Sequence, residues 1–185
     1  MHSSAEIGNR LRDAAERVAR QVGELPHPVV LIDGRSGAGK STLAALLGQL
    51  LDAQVLGLDS VYPGWDGLRT GADAVIEGVL RPRSRGLVGR WVRWDWLRDE
   101  PAEAHDVDPH SALIVEGSGI LTPTSVAFAD ASVWVDSPSR SRRQRALDRD
   151  GDTYRPHWDR WAAQEESHLA SHWPDRLATV TVRVP

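Results

Sequence analysis

Three glycines, a lysine and a serine between residues 34 and 41 have the spacing of a phosphate-binding loop. The stretch follows the Walker A pattern G-x-x-x-x-G-K-[S/T] and reads Asp33-Gly34-Arg35-Ser36-Gly37-Ala38-Gly39-Lys40-Ser41-Thr42. Glycine lets consecutive backbone N–H groups turn inward around an anion, because no Cβ restricts the backbone. Lys40 can reach the β- and γ-phosphates of a nucleotide, and the Ser41 hydroxyl can bind Mg²⁺. The sequence therefore predicts a nucleotide site in which residues 34 to 42 bind the phosphates.

Lys40 is the only lysine in the chain, and every other cation among the 22 Lys and Arg residues is arginine. A compact ammonium on a flexible stem and a planar guanidinium are not interchangeable at a phosphate site. The single lysine at this position favours the interpretation as a phosphate-binding loop over that of a glycine-rich turn that matches the pattern by chance.

The elements around the loop alternate between short apolar strands and helices. The pattern predicts an amphipathic helix over 4–22 and a strand over 29–33 that leads into the loop. It then predicts helices at 40–51, 72–80, 139–149 and about 157–172, with strands at 55–58, 112–115, 131–136 and 178–184. Residues 81–90 are expected to form an arginine-rich loop, 91–96 an extended run, and Gly151-Asp152 a break. This alternation indicates an α/β fold with a parallel sheet and helices on both faces.

Two carboxylates follow predicted strands, at the edge where open α/β sheets bind ligands. Glu116 ends the strand at 112–115 and can hold Mg²⁺ directly or through water. Asp59 follows the strand at 55–58 and can accept the proton of an attacking hydroxyl. The alternatives are an exposed strand-end carboxylate for Glu116 and a turn or helix cap for Asp59.

Arginines are concentrated on the predicted helix 139–149. Arg142, Arg145 and Arg149 recur at i, i+3 and i+7 and therefore share one face. Like charges this close repel one another unless anions bind, so the helix is interpreted as a lid that closes on ATP. The alternative is a solvated basic face.

These segments together resemble the uridine kinase-like family of phosphate-loop (P-loop) kinases over residues 27 to 150. The resemblance is carried by the loop at 33–42, Asp59-Ser60-x-Tyr62, Val115-Glu116-Gly117, and Val135-Asp136 followed by the three arginines. It implies the three-layer P-loop NTPase fold with a five-stranded parallel sheet in the order 2-3-1-4-5, an acceptor-binding segment at about 60–110 and an arginine-rich lid at about 140–157. It also implies ATP and Mg²⁺ as cofactors.

The same resemblance implies roles for individual residues. Asp59 is then the base for the acceptor hydroxyl, Tyr62 helps to hold the acceptor, Glu116 assists the metal, and Arg142, Arg145 and Arg149 act on the phosphates. The segment Trp94-Asp95-Trp96 is similar to the Tyr-Asp-Phe substrate segment of the family. Trp65 adds a further aromatic ring for an acceptor slot, and Arg93 lies beside the segment.

The sequence departs from this family where the family binds its acceptor. The Asp-His-Pro segment of the nucleoside kinases is replaced by 69–73, Arg-Thr-Gly-Ala-Asp, and the histidine expected after Tyr-Asp-Phe is missing. A nucleoside is the first expectation for the acceptor. The alternatives are a nucleoside monophosphate, a sugar, a vitamin-like alcohol or an antibiotic. Five nearby arginines would suit an acceptor that carries a phosphate or carboxylate: Arg81, Arg83, Arg85, Arg90 and Arg93.

Composition excludes several other classes of function. A length of 185 residues with 41% hydrophobic content supports one domain over 1–185, and a net charge of -4 with a pI near 6.0 argues against nucleic acid as a partner. The chain has no cysteine and no apolar run that could span a membrane, so a cytoplasmic protein is expected. A nucleotide-binding regulatory module without an acceptor remains the alternative class, although the base-reading segment Asn-Lys-x-Asp is absent.

The histidines and the remaining tryptophans carry weaker signals. His168 and His172 lie four residues apart near Glu165 and Glu166, without a third ligand at metal-site spacing, and an exposed polar helix face is expected there. Four of the eight tryptophans are expected to pack in the core: Trp134, Trp158, Trp161 and Trp173.

Overall fold

The computed structural model describes residues 4–185, and a five-stranded parallel sheet runs through its centre. The sheet strands in chain order are β1 (Val29–Asp33), β2 (Gln54–Gly57), β5 (Leu113–Glu116), β6 (Ala131–Asp136) and β7 (Val180–Arg183). They lie side by side as β2-β5-β1-β6-β7, which is the expected order 2-3-1-4-5. The expected fold class is therefore confirmed.

Helices cover both faces of this sheet. In chain order they are α1 (Ser4–Val22), α2 (Lys40–Leu51), α3 (Leu68–Val75), α4 (Arg81–Arg83), α5 (Ser139–Tyr154), α6 (Trp158–His172) and α7 (Pro174–Leu177). Alternate side chains of β1 point to opposite faces. Val30 and Ile32 pack in the core beneath α1 and α2, whereas Val29 and Leu31 pack in a second core with residues of α3 and α6. Two cores on one sheet give three layers. No helix within residues 4–185 has the length and apolar character needed to cross a membrane.

The segment between β2 and β5 differs most from the expectation. Helix α3 begins at Leu68 and continues through a π-helical turn, Ile76–Leu80, into α4, so the helical stretch extends beyond 72–80 at both ends and takes in part of the expected loop at 81–90. Gly71 lies inside α3 despite its poor helix propensity. Its missing Cβ lets Tyr62 approach, because a Cβ there would stand 2.7 Å from the Tyr62 ring.

The tryptophan-rich run at 91–96 belongs to an antiparallel hairpin that lies outside the main sheet. Its strands are β3 (Gly89–Asp95) and β4 (Glu100–Val107). The expected extended run is therefore present, and it starts at Gly89. The pairing register shifts between Val92 and Trp94, so the regular alternation of faces is interrupted there.

Helix α5 contains the expected break at Gly151. This residue has φ 55° and ψ −133°, while helical backbone continues on both sides as far as Tyr154. A 3₁₀ turn, Arg155–His157, then leads into α6. The arginines of α5 and the aromatic residues after Gly151 are therefore separated by one residue with non-helical backbone, a conformation that glycine adopts readily.

Candidate functional site

The loop between β1 and α2 needs glycine where other chain segments touch it. Gly37 has φ +77°, and a Cβ there would lie 2.1 Å from the carbonyl oxygen of Arg142. At Gly34 a Cβ would lie 2.4 Å from the Val135 carbonyl oxygen. The glycines therefore allow both the inward-turned backbone and the close packing of β6 and α5 against the loop.

Lys40 is held at the start of α2 with its side chain almost enclosed. Only 9% of the residue is exposed, and its Nζ donates to the Arg35 carbonyl at 3.3 Å and to the Ser118 hydroxyl at 3.4 Å. Neither partner carries a negative charge. Within residues 4–185 the ammonium has no carboxylate within ion-pair distance, so the loop retains a cation that a nucleotide phosphate can neutralise.

Ser41 and Glu116 meet beside the loop. The Ser41 hydroxyl donates to Glu116 Oε1 at 2.8 Å. Burial raises the pKa of Glu116, and the nearby Lys40 partly opposes this effect. A hydroxyl and a carboxylate oxygen side by side are the hard ligands that Mg²⁺ prefers. The pair therefore fits the expected metal-binding role, in which the bound ion would neutralise charge on the phosphates.

A carboxylate on α6, which was not among the expected site residues, holds the first half of the loop. Glu165 is 1% exposed, and its Oε1 accepts the Ser36 backbone N–H at 2.7 Å and the Ser118 hydroxyl at 3.2 Å. Its Oε2 accepts Arg35 Nε at 3.0 Å, and Arg35 also pairs with Glu166. The Arg35 side chain is thus turned toward α6. Its expected part in binding phosphate stays a prediction for its backbone N–H.

The expected exposed polar face of α6 is wrong for Glu165 and His168, since both are buried. His168 Nε2 lies 3.0 Å from Asp33 Oδ2, and its Nδ1 lies 3.0 Å from Nδ1 of His172. Asp33 also accepts the backbone N–H groups of Gly34, Gly119 and Leu121. Over residues 4–185 no cluster of three or more metal-ligating side chains occurs.

The spacing of α6 contained the missed signal. Trp158, Trp161, Glu165, His168 and His172 follow one another at steps of three and four, which places them on one helix face. Trp158 and Trp161 are buried, and Glu165 and His168 are buried too because they lie on the same helix face. Trp173 shows the opposite error, because it was expected in the core and is 48% exposed.

Two of the three lid arginines bind the loop itself. Arg142 Nη1 donates to the Ser36 carbonyl at 3.1 Å, and Arg145 Nε donates to the Gly37 carbonyl at 2.9 Å. Arg142 is buried, and desolvation lowers its pKa. These guanidinium groups fix α5 against the loop through its carbonyl oxygens.

Arg149 differs from Arg142 and Arg145 because it lines two open spaces. It lines a cleft of about 330 Å³ along the loop, whose walls include Gly37, Ala38, Gly39, Lys40, Ser41 and Thr42. It also lines a second cavity of about 500 Å³. Its guanidinium pairs with Asp150 at 2.6 Å. One side chain therefore joins the phosphate loop to the neighbouring cavity.

The second cavity brings together Asp59 and several aromatic rings. It is lined by Ser36, Asp59, Tyr62, Trp65, Trp96, Arg149, Asp150, Thr153, Tyr154 and Trp161. We call it the aromatic cavity. The Trp96 indole N–H donates to the Asp59 carbonyl at 2.7 Å, which ties the hairpin to the end of β2. The Tyr62 hydroxyl is engaged with the Ser118 carbonyl at 2.7 Å, so Tyr62 offers the cavity its ring.

Three of the expected acceptor residues lie outside the walls of this cavity. Arg93 pairs with Glu103 across the hairpin at 2.6 Å. Asp95 accepts the N–H groups of Leu97 and Arg98, both at 3.0 Å, and so caps the hairpin turn. The Trp94 indole nitrogen is buried and has no hydrogen-bond partner in the described part of the chain. Trp96 alone brings the 94–96 segment to the cavity wall.

The sheet order and the glycine loop together define the P-loop α/β fold, and comparison with solved structures agrees. A protein named as a possible uridine kinase from Bacillus stearothermophilus is 20% identical, with 92% of this chain and 98% of that one covered and a TM-score of 0.66. A second solved structure, from Silicibacter sp. TM1040, carries the name "putative fructose transport system kinase". It is 24% identical, with 92% of this chain and 98% of that one covered and a TM-score of 0.64. The expected similarity to uridine kinase-like proteins is thus confirmed at the level of the fold.

Sequence comparisons add no relative. No protein-family model matches the chain. No curated protein matches it either.

Proposed function

We propose that the protein is an ATP- and Mg²⁺-dependent kinase that phosphorylates a hydroxyl group of a small molecule bound in the aromatic cavity. The observation that carries this proposal is the position of Arg149 on both the loop cleft and the aromatic cavity. Phosphoryl transfer requires the donor phosphate and the acceptor to meet beside a positive charge. The two spaces that share Arg149 meet this requirement.

Each group has a defined part in the proposed reaction. The acceptor oxygen forms a bond to the γ-phosphorus, the bond from that phosphorus to the ADP oxygen breaks, and the hydroxyl proton passes to Asp59. Lys40 and the loop amides hold the phosphates, and Ser41 with Glu116 would hold the metal, which supplies further positive charge when bound. Arg149 lies where it can stabilise the transferring group. Arg142 and Arg145 act through the loop, whose shape they maintain.

The residues present fit ATP and Mg²⁺ on chemical grounds. Lys40 is a nearly enclosed cation without a carboxylate partner, and the loop glycines hold a backbone that a Cβ would obstruct. Nucleosides come first in the acceptor panel because of the sequence resemblance. In this proposal the lid consists of α5 and the 3₁₀ turn that follows it, with Gly151 inside it. The acceptor-binding segment is 60–110. Both belong to one domain.

The test is acceptor-dependent ADP release by the purified protein with ATP, Mg²⁺ and a panel of nucleosides, nucleotides, sugars and amino alcohols. Asp59→Asn should lower kcat by a factor of about 10² or more, because it removes the base. Asp175→Asn, at an exposed position on α7, is the matched control. Unchanged turnover in Asp59→Asn would remove the base assignment.

A second variant tests the loop separately. Lys40→Ala should abolish turnover and weaken ATP binding measured by calorimetry, because it removes the phosphate-binding cation. If Lys40→Ala bound and used ATP normally, the P-loop assignment would be lost. If ATP bound to the wild type but no acceptor raised ADP release, the regulatory-module alternative would replace the kinase.

A further inference from the structure

The lining of the aromatic cavity identifies the charge of its ligand. We infer that the acceptor is an alcohol that also carries a positive charge, as a protonated or quaternary amine. That the ligand is a phosphoryl acceptor rests on the proposed function. That it is positively charged rests on the cavity alone. Its evidence is the orientation of the rings, the balance of charges on the walls and the position of the surrounding arginines.

The rings do not form an open slot for a flat base. Trp65 is already stacked on His157 at 4.2 Å and 12°, and on Tyr154 at 5.4 Å and 15°. A flat ring inserted between two others needs their planes roughly 7 Å apart, twice the ordinary contact distance between carbon atoms. The near-parallel pair formed by Trp65 and Tyr154 is too close for this.

The other rings of the cavity stand at steep angles to their neighbours. Trp96 is tilted by 60° to Trp65 at 4.9 Å, and Trp161 stands at 66° to Tyr62 at 4.8 Å. Faces turned in several directions match the shape of a compact cation, which is attracted to the π face of any ring within about 6 Å. They match a planar neutral ligand less well.

The walls also carry an excess of negative charge. Arg149 pairs with Asp150 through two hydrogen bonds of 2.8 and 2.6 Å, so the one guanidinium on the walls faces two carboxylates, Asp150 and Asp59. The Asp59 side chain is exposed and has no ion-pair partner among residues 4–185. Glu116 lies close enough for the Asp59 charge to raise its pKa further. The walls therefore carry one net negative charge, since Arg149 also feels the charge of Asp59, and a ligand ammonium would balance this excess.

The arginines expected to hold a phosphorylated acceptor are engaged elsewhere. Arg81 pairs with Glu77 at 2.8 Å and Arg90 with Asp106 at 2.8 Å, while Arg93 is taken up by Glu103. The guanidinium of Arg83 is bonded to backbone carbonyl groups, including that of His27 at 3.0 Å. These four, like Arg85, lie outside the cavity walls. An anionic acceptor would meet Asp59 and Asp150 with only Arg149 to attract it.

The test compares two probes of the same shape and different charge, choline and 3,3-dimethylbutan-1-ol, titrated into the nucleotide-free protein. Binding is followed by tryptophan fluorescence and by saturation-transfer NMR. Choline should bind at least about tenfold more tightly than its neutral counterpart, a difference that cation–π attraction to the rings and the charge of Asp59 can supply together. Equal affinities, tighter binding of the neutral probe or no saturable binding of choline would each overturn the inference.

Substitutions in the aromatic cavity test whether choline binds there. Trp96→Leu removes a partly exposed ring and Asp59→Asn removes the charge, and each should weaken choline binding about fivefold or more and weaken binding of the neutral probe by a smaller factor. Trp173→Leu and Asp175→Asn change an exposed ring and an exposed carboxylate outside the cavity, and they should match the wild type. If the control variants weakened choline binding as much as the cavity variants, the probe would be bound elsewhere and the inference would be wrong.

The inference and the proposed function fail in different ways. The probe titration contains no nucleotide, so Lys40→Ala should leave choline binding intact even though it abolishes turnover. A kinase that prefers a neutral nucleoside and does not distinguish the two probes would keep the proposed function and lose the inference. Selective choline binding without ATP binding would keep the inference about the ligand charge and lose the proposed function.

Discussion

Glu165 Oε1 accepts the backbone N–H of Ser36 at 2.7 Å, across 129 positions of sequence. The carboxylate joins helix α6 to the phosphate loop, and it also neutralises Arg35. The loop therefore depends on a buried charge supplied from near the C-terminal end of the described chain. A buried carboxylate with three donors is costly to remove, because each donor then loses its partner.

We expect Glu165→Ala to lower the free energy of unfolding by about 3 kcal/mol, because it leaves Arg35 and the Ser36 amide without their partner. Chemical denaturation measures this loss. Glu166→Ala is the matched control: it removes the exposed partner of the same arginine and should cost less than about 1 kcal/mol. Similar losses in the two variants would show that the buried contact has no special weight.

Gly37→Ala should separate the loop from α5. The new Cβ would overlap the Arg142 carbonyl oxygen, 2.1 Å away, and the residue would keep a left-handed φ of +77°. We expect a loss of more than about 2 kcal/mol, compared with about 1 kcal/mol for Gly86→Ala, which has φ +72° and no neighbour within 4 Å. Thermal unfolding and ATP titration of both variants test this difference. Equal losses would mean that the contact with α5 is not tight.

The stability of the protein should fall as the pH drops below about 6.5, the ordinary pKa of histidine. Burial, followed by the nearby His168, lowers the pKa of His172 in the folded chain. The unfolded chain therefore takes up a proton first as the pH falls, and protonation favours unfolding. His172→Gln should flatten the slope of unfolding free energy against pH between 7 and 5, whereas Ser171→Ala, which changes an exposed residue of the same helix that does not titrate, should leave it unchanged. An unaltered slope in His172→Gln would contradict the assignment.

Arg93 should control the titration of Glu103. Its hydrogen bond to Glu103 is the main cause that lowers the pKa of that carboxyl to about 2. The contribution of this pair to stability is therefore fully present above the ordinary value of 4.5 and is lost as the pH falls through 2. In Arg93→Gln, NMR titration should find Glu103 moved upward toward 4.5. A Glu103 that still titrates near 2 would show that another group holds it.

The parts of the fold that follow local patterns could be predicted from the sequence. Strand β1 and helix α2 lie at the expected residues because an apolar run, a glycine loop and a helical repeat stand next to one another there. The arginines of α5 share a face for the same local reason. Their contacts with the Ser36 and Gly37 carbonyls could not be predicted, because these contacts depend on how α5 packs against the loop.

The residues that sequence reasoning missed come from distant elements. Glu165 and Ser118 reach the loop only after α6 and the end of β5 have packed beside it. Trp161 and Tyr154 enter the aromatic cavity because the non-helical backbone at Gly151 redirects the last turn of α5 and the α6 helix that follows. The hairpin takes Arg93 and Asp95 away from the cavity, since cross-strand pairing and a turn cap satisfy them locally. Polar residues are the hardest to place because each can be satisfied by several partners.

Because Lys40 is the only lysine in the chain, it can be modified selectively. Its ε-amino group is the only one in the chain, and it lies almost enclosed at the phosphate loop. Reagents that acylate amines can therefore modify only this group and the chain's α-amino terminus. Mass spectrometry of the modified peptide would then report occupancy of the loop directly, because a bound phosphate shields that one nitrogen while the terminus continues to react.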